Sequence, residues 1–193
     1  MSEYKITRWD INDKIPKEGI LLIRHGPREG GSFPTRTTPL SEEGRFATLN
    51  FGKQWDRHKP NCIVVSPVPR CSETGKLIKK GANWEISIYE SNMLGNPGPF
   101  MVDLKLFEKT IKCPNHRDLR YYLRRHIEGY DVPGMLHRDL GSRRLLSDLT
   151  YFNDRGGLTL AISHDSIIAA ILASDGNNAK PWPEPLCGAT IRF

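Results

Sequence analysis

Three short stretches of the chain carry residue types that can bind and transfer an anionic group: Arg24-His25-Gly26-Pro27-Arg28, Ser66-Pro67-Val68-Pro69-Arg70 and Ser163-His164-Asp165. An imidazole can act as nucleophile or proton carrier, a guanidinium is a permanent planar cation, and a carboxyl group can give or take a proton. Three arginines and two histidines gathered in one place would repel one another unless an anion sat among them, and a tetrahedral phosphoryl group is the natural guest. Arg70 would open a helix, where a cation opposes the positive end of the dipole unless an anion is near.

These residues can meet only if the elements that precede them end side by side. Residues 19–23 are a continuous apolar run, Gly-Ile-Leu-Leu-Ile, which predicts a strand buried on both faces with His25 just past its end. Residues 61–66 repeat the pattern ahead of Pro67 and Arg70, and residues 158–162 repeat it ahead of His164 and Asp165. A further strand is predicted over 84–89, ending at Glu90, and a last one over 189–193. Between them, 30–39 is a Gly, Pro and Thr-rich loop. Ser41 then caps a helix whose first turn holds Glu42 and Glu43, with Phe46, Leu49 and Trp55 at helical spacing as far as Arg57. Residues 71–81 read as a helix with Leu77 and Ile78 inward, and 167–173 as an apolar helix.

Strands alternating with helices predict an α/β fold: a three-layer sandwich with a mostly parallel central sheet and helices on both faces. In such a sheet ligands collect beyond the carboxyl ends of the strands, where all three chemical stretches fall. Residues 92–147 break the rhythm. Helices over 102–110, 117–128 and 138–149 are expected there, as a helical insertion over the strand ends within a single domain spanning 1–193. Residues 96–100 read as a rigid turn, with Phe100 as a wall of the pocket. The insertion also carries Lys112, Arg117, Arg120, Arg124, Arg125, Arg138, Arg143 and Arg144. Most of these are expected on solvated helix faces, with one or two reaching a second anionic group of the ligand.

At 38% hydrophobic and 26% charged residues the chain has the make-up of a soluble globular protein, and no run approaches the roughly 20 apolar residues that cross a bilayer. The first nineteen residues hold no apolar core of signal-peptide length, so a cytoplasmic protein without membrane contact is expected. Cys62, Cys71, Cys113 and Cys187 are irregularly spaced and read as reduced thiols, Cys71 as packing. The net charge of +6 favours anionic partners. No zinc-finger spacing or aromatic-interleaved basic repeat accompanies it, so the expected partner is a small phosphorylated substrate rather than nucleic acid. Oligomeric state is left open.

Taken in order, Arg24-His25-Gly26 after an apolar strand, Pro39-Leu40-Ser41-Glu42-Glu43-Gly44 opening the next helix, Ser66-Pro67-Val68-Pro69-Arg70 with Thr74 one turn on, and Ser163-His164-Asp165 resemble the histidine phosphatase superfamily. Arg28, three residues after His25, and the His164-Asp165 pair look closer to the acid phosphatase and phytase branch than to the phosphoglycerate mutase branch. That branch usually has a proline two residues after the arginine; Gly30 stands there instead, which puts the path of the following loop in question.

The resemblance implies that His25 takes up the phosphoryl group and that Arg24, Arg28, Arg70 and His164 hold its oxygens. Asp165 would then serve as proton donor, and neither metal nor other cofactor is needed. Glu90 lies near the place from which the mutase-like branch takes its acid, and is the alternative donor. Ser66 and Thr74 are read as structural. The function implied is hydrolysis of a phosphomonoester of a small anionic metabolite. A phosphoglycerate mutase-like phosphotransferase and a catalytically silent binder of phosphate compounds are the alternatives. A metal-dependent phosphohydrolase would need further ligands at helical spacing, which His116, His126 and His137 do not clearly supply.

Overall fold

A strand with apolar side chains at every position needs cover on both faces, and the central strands of this protein obtain it. The computed structural model describes residues 4–30, 35–55, 58–112, 118–154, 156–176 and 182–193. The strands are β1 (Lys5–Trp9), β2 (Gly19–Arg24), β3 (Cys62–Val65), β4 (Ser87–Glu90), β5 (Leu158–Ser163) and β6 (Gly188–Arg192). The helices are α1 (Glu42–Lys53), α2 (Pro69–Gly81), α3 (Leu104–Lys112), α4 (Leu119–Ile127), α5 (Arg138–Tyr151) and α6 (Asp165–Ser174).

The sheet runs β1-β6-β2-β5-β3-β4. Strands β2, β5, β3 and β4 are mutually parallel, whereas β6 is antiparallel to both β2 and β1. Alternation along β2 divides the core: Ile20 and Leu22 join one apolar cluster with Leu145, Leu149, Ile168 and Leu172, while Leu21 and Ile23 join the other with Phe51, Trp55 and Ile78. Helices α5 and α6 therefore cover one face and α1 and α2 the other. This is the expected three-layer α/β sandwich, with a mixed sheet whose central four strands are parallel.

Several expectations are corrected. Strand β1 has no counterpart in the sequence reading, because a charged edge strand buries only Ile6 and Trp9. The strand expected over 84–89 starts at Ser87, since Trp84 N still bonds Lys79 O and the Trp84 ring packs edge-on to Trp55, centroids 4.8 Å apart. Phe46 is 68% exposed. The buried stripe of α1 is Gly44, Thr48, Phe51 and Gly52, and glycines let α1 and α2 approach backbone to backbone, with Gly52 over Ile78 and Gly81 over Leu49. Helix α1 ends at Lys53 and Trp55 lies past its cap; Arg57 falls outside the described residues. Phe100 is buried against Gly141 and the His126 ring, and is not a pocket wall.

The three helices expected within 92–147 form, with α4 beginning at Leu119 because Asp118 caps it by accepting from Tyr121 N. Helices α3 and α4 share a small separate cluster of Phe107, Tyr122 and Val132. Helix α5 instead buries Leu145, Leu146 and Leu149 in the main core beside α6, so the helical layer already begins within this stretch. Among the described residues no helix is long and apolar enough to cross a membrane.

Candidate active site

Strand order brings the three chemical stretches together. Because β5 lies between β2 and β3, Arg24 pairs with Ser163 and Val65 with Ile162. The ladder continues past the strand ends, with His25 N donating to Ser163 O at 3.0 Å and Ser66 N to Ile162 O at 3.0 Å. His25, Ser66 and His164 thus leave three adjacent strands at one level. Helices α2 and α6 start immediately beyond, so their positive ends face the same space.

Two glycines seat the first loop. A Cβ on Gly26 would collide with Thr48 Oγ1, and a Cβ on Gly44 with the Pro27 carbonyl. Gly26 N donates to Thr74 Oγ1 at 3.0 Å, and Thr74 in turn donates to Arg70 O at 2.7 Å, which ties the β2 loop to the first turn of α2. The glycine of the Ser41-Glu42-Glu43-Gly44 motif is therefore a backbone contact beneath the Arg24-to-Arg28 loop. Gly44→Ala is expected to cost about 1–3 kcal/mol of stability, as overpacking does, and a urea unfolding curve measures it.

His25 is 3% exposed. Its Nδ1 lies 2.7 Å from Gly26 O, while its Nε2 lies 3.0 Å from Arg70 Nε, which can only donate. The proton therefore sits on Nδ1, and the Nε2 lone pair accepts from Arg70 at the wall of the cavity. Burial above all lowers the His25 pKa, to about 4; the Gly26 carbonyl opposes this, and Arg70 and Arg24 add to it. His25 is thus neutral at physiological pH. Ring resonances of labelled histidine are expected to stay those of neutral His25 from pH 7 down to 5 and to titrate near pH 4; a midpoint close to 6.5 would contradict this geometry.

Arg70, 6% exposed, connects the parts: Nη2 is 3.1 Å from His164 Nδ1 and Nη1 donates to Thr35 O at 3.1 Å. His164 must accept at Nδ1, so its proton lies on Nε2 and is given to Ser66 Oγ at 3.1 Å. Burial, then Arg70, hold the His164 pKa well below the ordinary value. Ser66 Oγ also donates to Gly95 O and accepts from Val68 N. Ser66 is thus more than a turn residue, because it accepts the Nε2 proton of the tautomer that Arg70 imposes on His164. Gly95, at φ +139 and with its missing Cβ directed at the His164 ring, makes room for that ring. Cys71 is fully buried and its thiol is pushed up to about 12 by burial, in keeping with a packing role.

Arg24 reaches Asp165 Oδ2 with Nη2 at 3.1 Å and Pro183 O with Nη1 at 3.0 Å, while among the described residues its buried Nε has no hydrogen-bond partner. Asp165 Oδ1 accepts from Ser166 N at 2.8 Å. These groups open on a cavity of about 490 Å³ lined by Arg24, His25, Arg28, Arg70, His164, Asp165 and Ser166. All six residues first expected in the site are therefore brought together. Glu90 is exposed at the end of β4 and does not line the cavity.

Helix α4 adds Leu119, Arg120, Leu123 and Arg124 to the lining, and Trp182 completes it from the segment before β6. Trp182 escaped the sequence reading, since an isolated tryptophan in a Pro-rich loop carries no chemical signature. Among the described residues no three His, Cys, Asp or Glu side chains gather as a metal would require. His126 and His137 meet the carbonyls of Leu136 and Gly129, and His116 lies outside the described residues.

Residues 20–92 match the family described as the histidine phosphatase superfamily (branch 1). The fold is shared with glucosyl-3-phosphoglycerate phosphatase of mycobacterial origin, 15% identical, TM-score 0.63, over 91% of this chain and 90% of that one. It is shared with a phosphoglycerate mutase from Bacillus anthracis, 15% identical, TM-score 0.62, over 90% and 87%. A putative phosphohistidine phosphatase SixA from Agrobacterium tumefaciens aligns over 92% of both chains at 16% identity and TM-score 0.54. A comparison with curated protein sequences gives no match. The superfamily resemblance is thereby shown. The preference for the acid phosphatase and phytase branch is not supported, the matched family being branch 1.

Proposed function

We propose that this chain, which carries the histidine phosphatase pattern over residues 20–92, is a phosphatase that hydrolyses a phosphomonoester of a small anionic metabolite through a phosphohistidine on His25. The observation that carries the reading is the neutral imidazole at the wall of an arginine-lined cavity, its Nε2 lone pair held by Arg70 Nε, a donor that an incoming phosphoryl oxygen can draw away. A buried neutral histidine aimed at cations serves no packing purpose; aimed at phosphorus, it is a nucleophile already in its reactive tautomer.

In the first step Asp165, displaced from Arg24 by the phosphoryl group and protonated by solvent or by the substrate monoanion, gives its proton to the leaving oxygen as Nε2 attacks phosphorus and the bond to that oxygen breaks. In the second, water attacks phosphorus, its proton passes to the Asp165 carboxylate, and the P–N bond breaks to return neutral His25 and free phosphate. Arg24, Arg28 and Arg70 hold the equatorial oxygens, where charge accumulates during transfer. His164 faces the same oxygens from the β5 end. A phosphoryl dianion competes with Asp165 for the Arg24 guanidinium, which releases the carboxyl group toward the leaving oxygen. None of these steps calls on a metal, and turnover is expected to survive EDTA.

The test compares leaving groups. Asp165→Asn is expected to lower kcat/KM, which reports only the first step, by about 10²–10⁴-fold for an alkyl phosphate, the usual worth of a general acid, and to affect 4-nitrophenyl phosphate, whose leaving group needs no proton, far less. Glu90→Gln is expected to keep the wild-type ratio between the two esters. Equal losses for both esters in Asp165→Asn, or a selective loss in Glu90→Gln, would move the acid elsewhere.

A further inference from the structure

Arg70 gives the two imidazoles the edge of its guanidinium that a phosphoryl group would take. Its Nε donates to His25 Nε2 at 3.0 Å and its Nη2 to His164 Nδ1 at 3.1 Å, and these two nitrogens form one side of the planar fork that grips two phosphate oxygens together. The fork is rigid, so a phosphoryl group that takes this edge removes the donor from both rings at once. The His25 lone pair is then spent on phosphorus. The His164 lone pair is left against an anionic oxygen, which repels it.

Two changes at His164 could relieve that contact, and the geometry admits one. The Nε2–H points to Ser66 Oγ at 3.1 Å, and Ser66 is fully buried. The Ser66 hydroxyl in turn donates to Gly95 O and accepts from Val68 N, neither of which carries a proton onward. Ser66, Val68 and Gly95 do not line the cavity, whereas Arg70 and His164 do. Exchange of one neutral tautomer for the other requires the Nε2 proton to leave through this sealed side. A proton gained at Nδ1 enters from the cavity and needs no such passage.

The groups that face His164 keep it neutral until an anion binds. From α2 come Arg70 and the Cys71 thiol, whose Sγ lies 3.7 Å from Nε2 and which stays protonated. From the end of β2 come Arg24 and His25, the two imidazole centroids being 5.6 Å apart. Asp165, the next residue in the chain, is paired with Arg24, and residues 91–99 bring no titratable side chain. His164 also caps the positive end of α6, while Arg28, Arg120 and Arg124 line the same cavity. Burial and this excess of cations disfavour an imidazolium; a dianion beside Nδ1 reverses the balance.

We propose that Ser66 is a positioning residue for phosphoryl transfer: by holding the Nε2 proton on the sealed side, it makes His164 take up a proton at Nδ1 when a phosphoryl group binds and, as an imidazolium, hydrogen-bond a phosphoryl oxygen. This rests on the phosphatase reading and adds to it the charge state of His164. The new N–H bond takes its proton from the ester when that binds as the monoanion and from solvent when it binds as the dianion. No bond of the ring breaks, and the proton returns to solvent when phosphate leaves.

The test titrates sulfate, a tetrahedral dianion with no proton of its own at neutral pH, into the full chain by calorimetry in buffers of different ionisation enthalpy, which counts protons taken up. Asp165 also gains a proton when an anion draws Arg24 from it, so the count is made in Asp165→Asn. One proton per sulfate is expected there, and none in Asp165→Asn/His164→Asn, which still binds sulfate through its arginines. Nitrogen resonances of labelled histidine are expected to show His164 neutral before sulfate and protonated on both nitrogens after it. Adding Ser66→Ala is expected to weaken sulfate binding about tenfold, the worth of one hydrogen bond to a charged group, and to bring the count below one. Should that variant not fold, Ser66→Cys keeps the size, is a weak acceptor and takes its place. Sulfate bound with no proton taken up, a His164 that exchanges neutral tautomers, or a full proton in the folded Ser66 variant overturns the inference. If neither sulfate nor inorganic phosphate binds, the phosphoryl reading of the site has failed and this inference falls with it.

Discussion

His25→Ala is expected to abolish phosphomonoester hydrolysis, with a loss of about 10⁴-fold or more, as removal of a nucleophile typically causes. The reasoning is positional as much as chemical. The ring is held between the Gly26 carbonyl, which fixes the proton on Nδ1, and Arg70, whose Nε donates to Nε2 from the direction in which phosphorus would approach. Among the described residues the other imidazole of the cavity, His164, has its Nε2 proton committed to Ser66 and cannot replace it without a change of tautomer. The substitution removes the covalent step and leaves the arginines, so an inorganic phosphate or vanadate ligand is still expected to bind. Two measurements decide the matter: initial rates with a phosphomonoester, and acid-quenched incubation with labelled ester followed by peptide mapping. Label on His25 in Asp165→Asn, whose hydrolytic second step is slowed, supports the intermediate. Undiminished turnover in His25→Ala would end the proposal.

The parts of this site that could be read from the sequence are those dictated by local pattern. Runs such as Ile20 to Ile23 and Leu160 to Ile162 are apolar at successive positions, which only a strand covered on both faces accommodates, and the residues that follow them must then lie at strand ends. Ser41 as a cap and Ile78 as a buried residue follow from equally local rules. What local pattern does not hold is order. Nothing in the stretch 158–163 says that it inserts between β2 and β3, yet that insertion sets His164 beside Arg70 and Ser66.

The missed and misread elements share one cause. Strand β1 and the inward face of α1 depend on what packs against them: β1 on the antiparallel partner β6, and α1 on a glycine-mediated approach of α2 that makes apolar spacing a poor guide. Glu90 and Asp165 were both plausible acids by type and by position after a strand. What the sheet order shows is that Asp165 lines the cavity and Glu90 does not, since β4 is an edge strand and β5 is central. One or two arginines of the insertion are expected near the pocket from the sequence, but that they are Arg120 and Arg124 is a tertiary fact.

Arg70→Ala is the second large effect expected, a loss of about 10³-fold or more in kcat/KM, in the range found when a guanidinium that stabilises transferring phosphoryl charge is removed. Among the described residues Arg70 is the one side chain that bonds both imidazoles and also the Thr35 carbonyl, so it orders the nucleophile, His164 and Thr35 together. Arg70→Lys is expected to recover little, because an ammonium cannot place three donors in the plane of a fork. Stability behaves differently. The guanidinium is buried and burial disfavours its charged form, so its loss removes hydrogen bonds and a desolvation cost together, and the thermal midpoint is expected to move far less than the rate. Because Arg70 is also among the causes that lower the His25 and His164 pKa values, both are expected to rise in the variant. A histidine titration that shifts upward while the fold persists distinguishes an electrostatic organiser from a residue that merely fills space; an unchanged titration with unchanged kcat/KM would remove Arg70 from the site.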